Sequence, residues 1–70
     1  MYNSYYEMHY EIFEGGKSLG VTKEKFPADN DQQAKIKAKN YINGQTLRVL
    51  APRGKTMKLV KLFDPKGRPI

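Results

Sequence analysis

Seventy residues with 13 lysines and arginines against seven acids leave a net charge of +6, and no cysteine is present. A chain this short buries only about 60% of the surface its unfolded form exposes, so one thin-cored domain over residues 1–70 is the expectation. It has no disulfide staple and no cysteine zinc site. No apolar run reaches the ~18 residues that cross a bilayer. The opening Met-Tyr-Asn-Ser-Tyr-Tyr-Glu lacks the basic-then-apolar order of a secretory signal, so a cytoplasmic location is expected.

Charge is split along the chain. Residues 1–34 hold Glu7, Glu11, Glu14, Glu24, Asp29 and Asp31 against Lys17, Lys23 and Lys25, a net of −3. Residues 35–70 hold ten basic residues against Asp64 alone, a net of +9. Such a field bears on partners and solubility, not on fold.

Residues 5–14 alternate, with Tyr6, Met8, Tyr10 and Ile12 on one parity and Glu7, His9 and Glu11 on the other, the period of a half-buried strand. Gly15-Gly16 supplies a two-residue turn free to take positive φ. Counted from that turn, Glu14 faces Lys17, Ile12 faces Leu19, Tyr10 faces Val21 and Met8 faces Lys23. This register gathers the apolar residues of a hairpin on one side. Gly16-Lys17-Ser18 imitates the end of a phosphate-binding loop. Glu11 stands where that motif needs its first glycine, however, and a strand follows where it needs a helix.

Pro27 ends the second strand, since it has no N–H for a ladder. A helix follows, capped by Asp29 with Gln32 or by Asn30 with Gln33. Ala34, Ala38, Tyr41 and Ile42 form a stripe about 100° wide for packing on a sheet. Lys35, Lys37 and Lys39 lie off it, toward the end where the helix dipole favours cations. Asn43-Gly44 reads as a left-handed stop. Residues 47–51 and 56–63 then read as a second hairpin around Pro52-Arg53-Gly54-Lys55; a loop of odd length pairs Val49 with Leu59 and Ala51 with Met57, a two-residue loop pairs Val49 with Lys58, and the first collects the apolar residues on one side. Asp64-Pro65-Lys66-Gly67 is a turn by composition. Residues 1–4 and 65–70 are expected to fray. The fold class is α+β, a two-layer ββαββ domain with one helix on one face of a mainly antiparallel sheet. A β-grasp order and simpler meanders share this element sequence.

Three constellations bear on function. Glu7, His9 and Glu11 share a strand face, but neighbours two apart lie ~6.7 Å from each other on an open surface. No metal, catalytic or cofactor site is assigned to them. The same face carries Tyr5, Phe13 and Phe26, with Tyr5 and Phe26 as cross-strand neighbours and Glu7, Glu11 and Glu24 interleaved. Aromatics among acids suit a protein contact better than stacked bases beside phosphates. Basic turns at Arg53 and Lys55 and at Lys66 and Arg68 flank the last strand ~25 Å apart. With Arg48, Lys35 and Lys39 they offer a backbone-contacting surface. Lys58 and Lys61 differ in parity and break a continuous stripe, unless a bulge reunites them.

The expected function is a small non-enzymatic accessory or interaction module that binds protein or itself through Tyr5, Phe13 and Phe26. The alternative is a non-specific nucleic-acid binder using Lys35, Lys39, Arg48, Arg53, Lys55, Lys66 and Arg68. No small-molecule substrate and no membrane span is implied.

Overall fold

The computed structural model describes residues 4–70, so the fraying expected of residues 1–4 falls largely outside the described chain. Strand β1 (Tyr5–Glu14) and strand β2 (Lys17–Pro27) form the expected hairpin. Gly15 and Gly16 take φ of 58° and 80°, which only glycine enters without penalty, and Glu14 faces Lys17 across the turn.

The register then departs from a regular hairpin. Phe13 faces Ser18, but Ile12 faces Gly20, so Leu19 is an extra residue in β2. Gly20 at φ 116° takes up the kink, and Ser18 Oγ accepts from its N–H at 3.2 Å. From there every pair is displaced by one: Tyr10 faces Thr22, Met8 faces Glu24 and Tyr6 faces Phe26. The expected pairs Ile12–Leu19, Tyr10–Val21 and Met8–Lys23 are replaced, and Leu19 and Val21 stand more than half exposed.

Helix α1 (Asp31–Gln45) is capped by Asn30, whose Oδ1 accepts from Gln33 N–H at 2.8 Å. The Gln33 side chain returns the contact to Asp29 N–H at 2.7 Å. Ala34, Ala38 and Ile42 are buried with Tyr41 packed against them, the expected stripe. Small alanines let the helix axis approach the sheet closely.

Asn43-Gly44 does not stop the helix. It runs on through Gln45 into a π-helical turn (Thr46–Leu50) and a 3-10 turn (Ala51–Arg53), and Gly54, at φ 73°, makes the left-handed stop. Leu, Arg and Ala are strong helix formers. Pro52 falls in the first turn of the 3-10 segment, where proline's fixed φ is compatible with the turn. The strand expected at residues 47–51 is therefore absent, and with it the second hairpin, the pairs Val49–Leu59 and Ala51–Met57, and the ββαββ and β-grasp orders.

Strand β3 (Lys55–Phe63) lies antiparallel to β1 on the side away from β2, giving a three-stranded sheet in the order β2-β1-β3. The α+β class holds, with the element order ββαβ. The β3 ladder has its own irregularity: His9 faces Lys61 while Tyr10 faces Leu59, which leaves Val60 as the extra residue. Beyond β3 the chain folds back. Phe63 bridges Pro69, and Ile70 N–H donates to Leu62 C=O at 2.9 Å. Asp64, buried, accepts from the N–H groups of Lys66 and Arg68 at 2.9 and 2.7 Å and from Arg68 Nε at 2.8 Å.

The core is a single layer of side chains between helix and sheet: Tyr6, Met8, Tyr10, Ala28, Ala34, Ala38, Ile42 and Leu62. The molecule is elongated, 40 × 20 × 16 Å. Among the described residues no helix is long and apolar enough to cross a membrane.

Candidate functional site

The helix packs on one face of the sheet; among the described residues no other helix or strand covers the opposite face, and β1 sets its centre. Opposed residues share a face. Tyr5, Glu7, His9, Glu11 and Phe13 therefore form a central column, on the parity opposite to the buried Tyr6, Met8 and Tyr10. The extra Leu19 changes the parity of the rest of β2. Lys25 falls beside Glu7, Lys23 beside His9 and Val21 beside Glu11. The extra Val60 does the same within β3, setting Phe63 beside Glu7, Lys61 beside His9 and Lys58 beside Glu11.

Two bulges thus bring Lys23, Lys25, Lys58 and Lys61, all exposed, onto one face in two columns. Strand spacing puts those columns roughly 10 Å apart, with the β1 column between them. Lys58 and Lys61, of different parity in the sequence, are reunited by the bulge. The opposite charges of the two chain halves do not persist as two halves in space. Lysines from both flank the two central carboxylates.

Two rings meet beside the centre of the face. The His9 and Phe63 rings lie 4.8 Å apart, tilted by 51°, and Lys61 Nζ stands 6.0 Å from the Phe63 ring centre. Glu7 Oε1 lies 3.4 Å from His9 Nε2, within ion-pair range but without hydrogen-bond alignment. Glu11 accepts from the Ser18 hydroxyl. Among the described residues no three metal-ligating side chains converge. Tyr5, more than half exposed, and the half-buried Phe13 complete the column at either end.

Phe26 is not on this face. The register shift carries it to the inner layer, where its ring lies 6.2 Å from Tyr6, so the expected Tyr5–Phe26 neighbour pair is replaced by Tyr6–Phe26. Glu24 leaves the outer face by the same shift. Its carboxylate accepts from the hydroxyl of Tyr10 and from that of Tyr41 at 3.0 Å. Burial first, and the Glu24 hydrogen bond second, hold both tyrosines above the ordinary phenol range.

The other basic candidates do not converge. Lys35 and Lys39 rim a groove of about 440 Å³ floored by Leu59, Leu62 and Ile70, on the helix side of the β3 edge. Arg48, Arg53 and Lys55 sit where the helical segment gives way to β3. Lys66 and Arg68 lie in the turn beyond its far end, the Arg68 guanidinium held by Asp64. Phe63, Lys23, Lys25, Lys58 and Lys61 were not among the expected site residues. Gly20 was the available signal for β2, because an isolated glycine in a strand pattern marks a bulge. Nothing comparable marks Val60.

Compared with known proteins, the chain matches no family model, no curated protein and no solved structure.

Proposed function

We propose that this chain binds nucleic acid through the uncovered face of its sheet, gripping the phosphate backbone with Lys23, Lys25, Lys58 and Lys61 and performing no chemistry on it. The observation that carries this is the pair of bulges. They place four exposed lysines around the β1 column and withdraw Glu24 from the same surface. Four lysines against Glu7 and Glu11 leave the face net positive, and Glu11 already accepts from Ser18. Backbone contacts of this kind carry little sequence preference and release counterions, so affinity falls steeply with salt.

The test is fluorescence anisotropy with labelled generic DNA and RNA, single-stranded and duplex, at roughly 50 and 200 mM salt. Binding at low salt that collapses at high salt is expected. In Lys58→Glu/Lys61→Glu it should weaken strongly, with the salt slope reduced by roughly one for each lysine lost. Undiminished affinity in that variant, with loss in Arg53→Glu/Arg68→Glu instead, would move the contact to the basic turns. No binding at low salt would defeat the proposal.

One observation favours a second reading, contact with protein or with another copy of the chain. Tyr5, Leu19 and Val21 are each more than half exposed, the last two on β2, an edge strand. Lys17, Lys23 and Lys25 on that edge oppose strand addition. Light scattering that gives a dimer mass, lost in Val21→Lys, would support the second reading over the first.

A further inference from the structure

We infer that the strand held on this face is single and lies with its bases inward, stacked on the Phe63–His9 pair and on Tyr5, and with its phosphates outward over the lysine columns. The inference rests on the nucleic-acid reading above and adds the class of strand. Three observations carry it.

The first is order across the sheet. Tyr5 and His9 lie on the central strand with Phe63 beside it, while Lys23 and Lys25 from β2 and Lys58 and Lys61 from β3 share the same face to either side, Lys61 Nζ 6.0 Å from the Phe63 ring centre. A duplex turns its phosphates outward around stacked, inaccessible base faces, so aromatic side chains on a contact surface gain nothing from it. A single strand offers π-faces to the middle and phosphates to the sides, and every base has a π-face.

The second is the placement of the two carboxylates. Glu7 and Glu11 stand in the central column. Under a phosphate they would repel. Under a base edge a carboxylate accepts from an exocyclic amino group, as it does from cytosine N4. Only the base-inward orientation makes the acids compatible with the lysines beside them.

The third is the helix. α1 packs on the opposite face through Ala34, Ala38 and Ile42, so among the described residues no helix projects from the lysine-bearing surface to enter a major groove.

The experiment compares labelled single strands of roughly twelve nucleotides, rich in cytosine and adenine, with the matching duplex at low salt. The proteins are the parent chain, Phe63→Leu and Tyr5→Ser. Tyr5 is exposed, so its replacement tests stacking even where the Phe63 variant folds poorly; circular dichroism checks both folds. The single strand should bind more tightly than the duplex. Each variant should lose roughly tenfold in single-strand affinity, with an unchanged salt slope and unchanged duplex affinity. Duplex binding as tight as single-strand binding, or parental affinity for the single strand in Tyr5→Ser and in a folded Phe63→Leu, overturns the base-inward inference and leaves the backbone contact standing. Absence of binding to every probe overturns the backbone contact and this inference together.

Discussion

Glu24, Tyr10 and Tyr41 form the polar hinge between helix and sheet. One carboxylate oxygen accepts two phenol hydroxyls, which lets a charge sit at the margin of a small core. Replacing Glu24 with leucine strands both hydroxyls and should cost about 1–3 kcal/mol, measured by urea unfolding, whereas Glu24→Gln keeps an acceptor and should cost less. The tyrosines also set the alkaline limit. The hydrogen bond to Asp31, at 2.7 Å, foremost holds the Tyr6 phenol near 12, and Tyr10 and Tyr41 are raised as well. A raised folded value means that unfolded tyrosines ionise first, near pH 10. Stability is then complete below about pH 10 and is lost as the pH climbs toward the folded values. Thermal melts from pH 8 to 12 should show that fall, shallower in Tyr6→Phe. Asp64 has the opposite sign. Its lowered value, due foremost to the backbone N–H of Arg68, gives stability that is whole above the ordinary carboxylate range and lost as pH falls through the folded value. The melting difference between the parent and Asp64→Asn should narrow below about pH 4.

Strands β2 and β3 each contain one residue that the ladder does not need. Removing Leu19 leaves Phe13 on Ser18 and Ile12 on Gly20 with regular alternation; removing Val60 likewise preserves Tyr10 on Leu59 and His9 on Lys61. Either single deletion should therefore give a folded chain with a near-parental melt. Deleting Thr22, three residues past Leu19, sets Val21 opposite Tyr10 and Leu19 opposite Ile12 while keeping Lys23 opposite His9, so that it too should leave the domain folded. Gly54 stops the helical segment in the left-handed region, so Gly54→Val should cost on the order of 1–2 kcal/mol. At this scale the sequence was legible wherever a local rule acted alone. The alternation of β1, the double-glycine turn, the Asn30 cap and the alanine stripe all lie within a few residues of their cause. Residues 47–51 were misread because they fit two patterns. Leu47 and Val49 alternate as a strand would, and the same segment is rich in helix formers; continuing from α1 satisfies its backbone locally, without a partner strand.

Across the whole molecule, exposure is uneven. β1 is flanked on both sides, whereas β2 is an edge strand whose residues are nearly all exposed. Amide hydrogen exchange should accordingly be slowest in β1 and faster along the hairpin tip of β2; uniform protection would contradict the thin, one-sided core. The same sheet order decides the surface. With β3 against β1, basic residues from the C-terminal half stand beside the acids of the N-terminal half, and the charge split of the sequence becomes an interleaved face. Of the aromatic site expected from parity, Tyr5 and Phe13 remain and Phe26 is replaced by Phe63. The expected basic residues lie apart from the four lysines that the sheet assembles. By itself the sequence determined the hairpin turn, the amphipathic helix and the α+β class, because periodicity, turn chemistry and capping act over one to four residues. The tertiary structure alone decided which side chains share the open face. A single extra residue reverses the parity of everything beyond it in a strand, and whether a ladder accommodates that residue depends on a partner strand that, for β3, lies more than forty residues away.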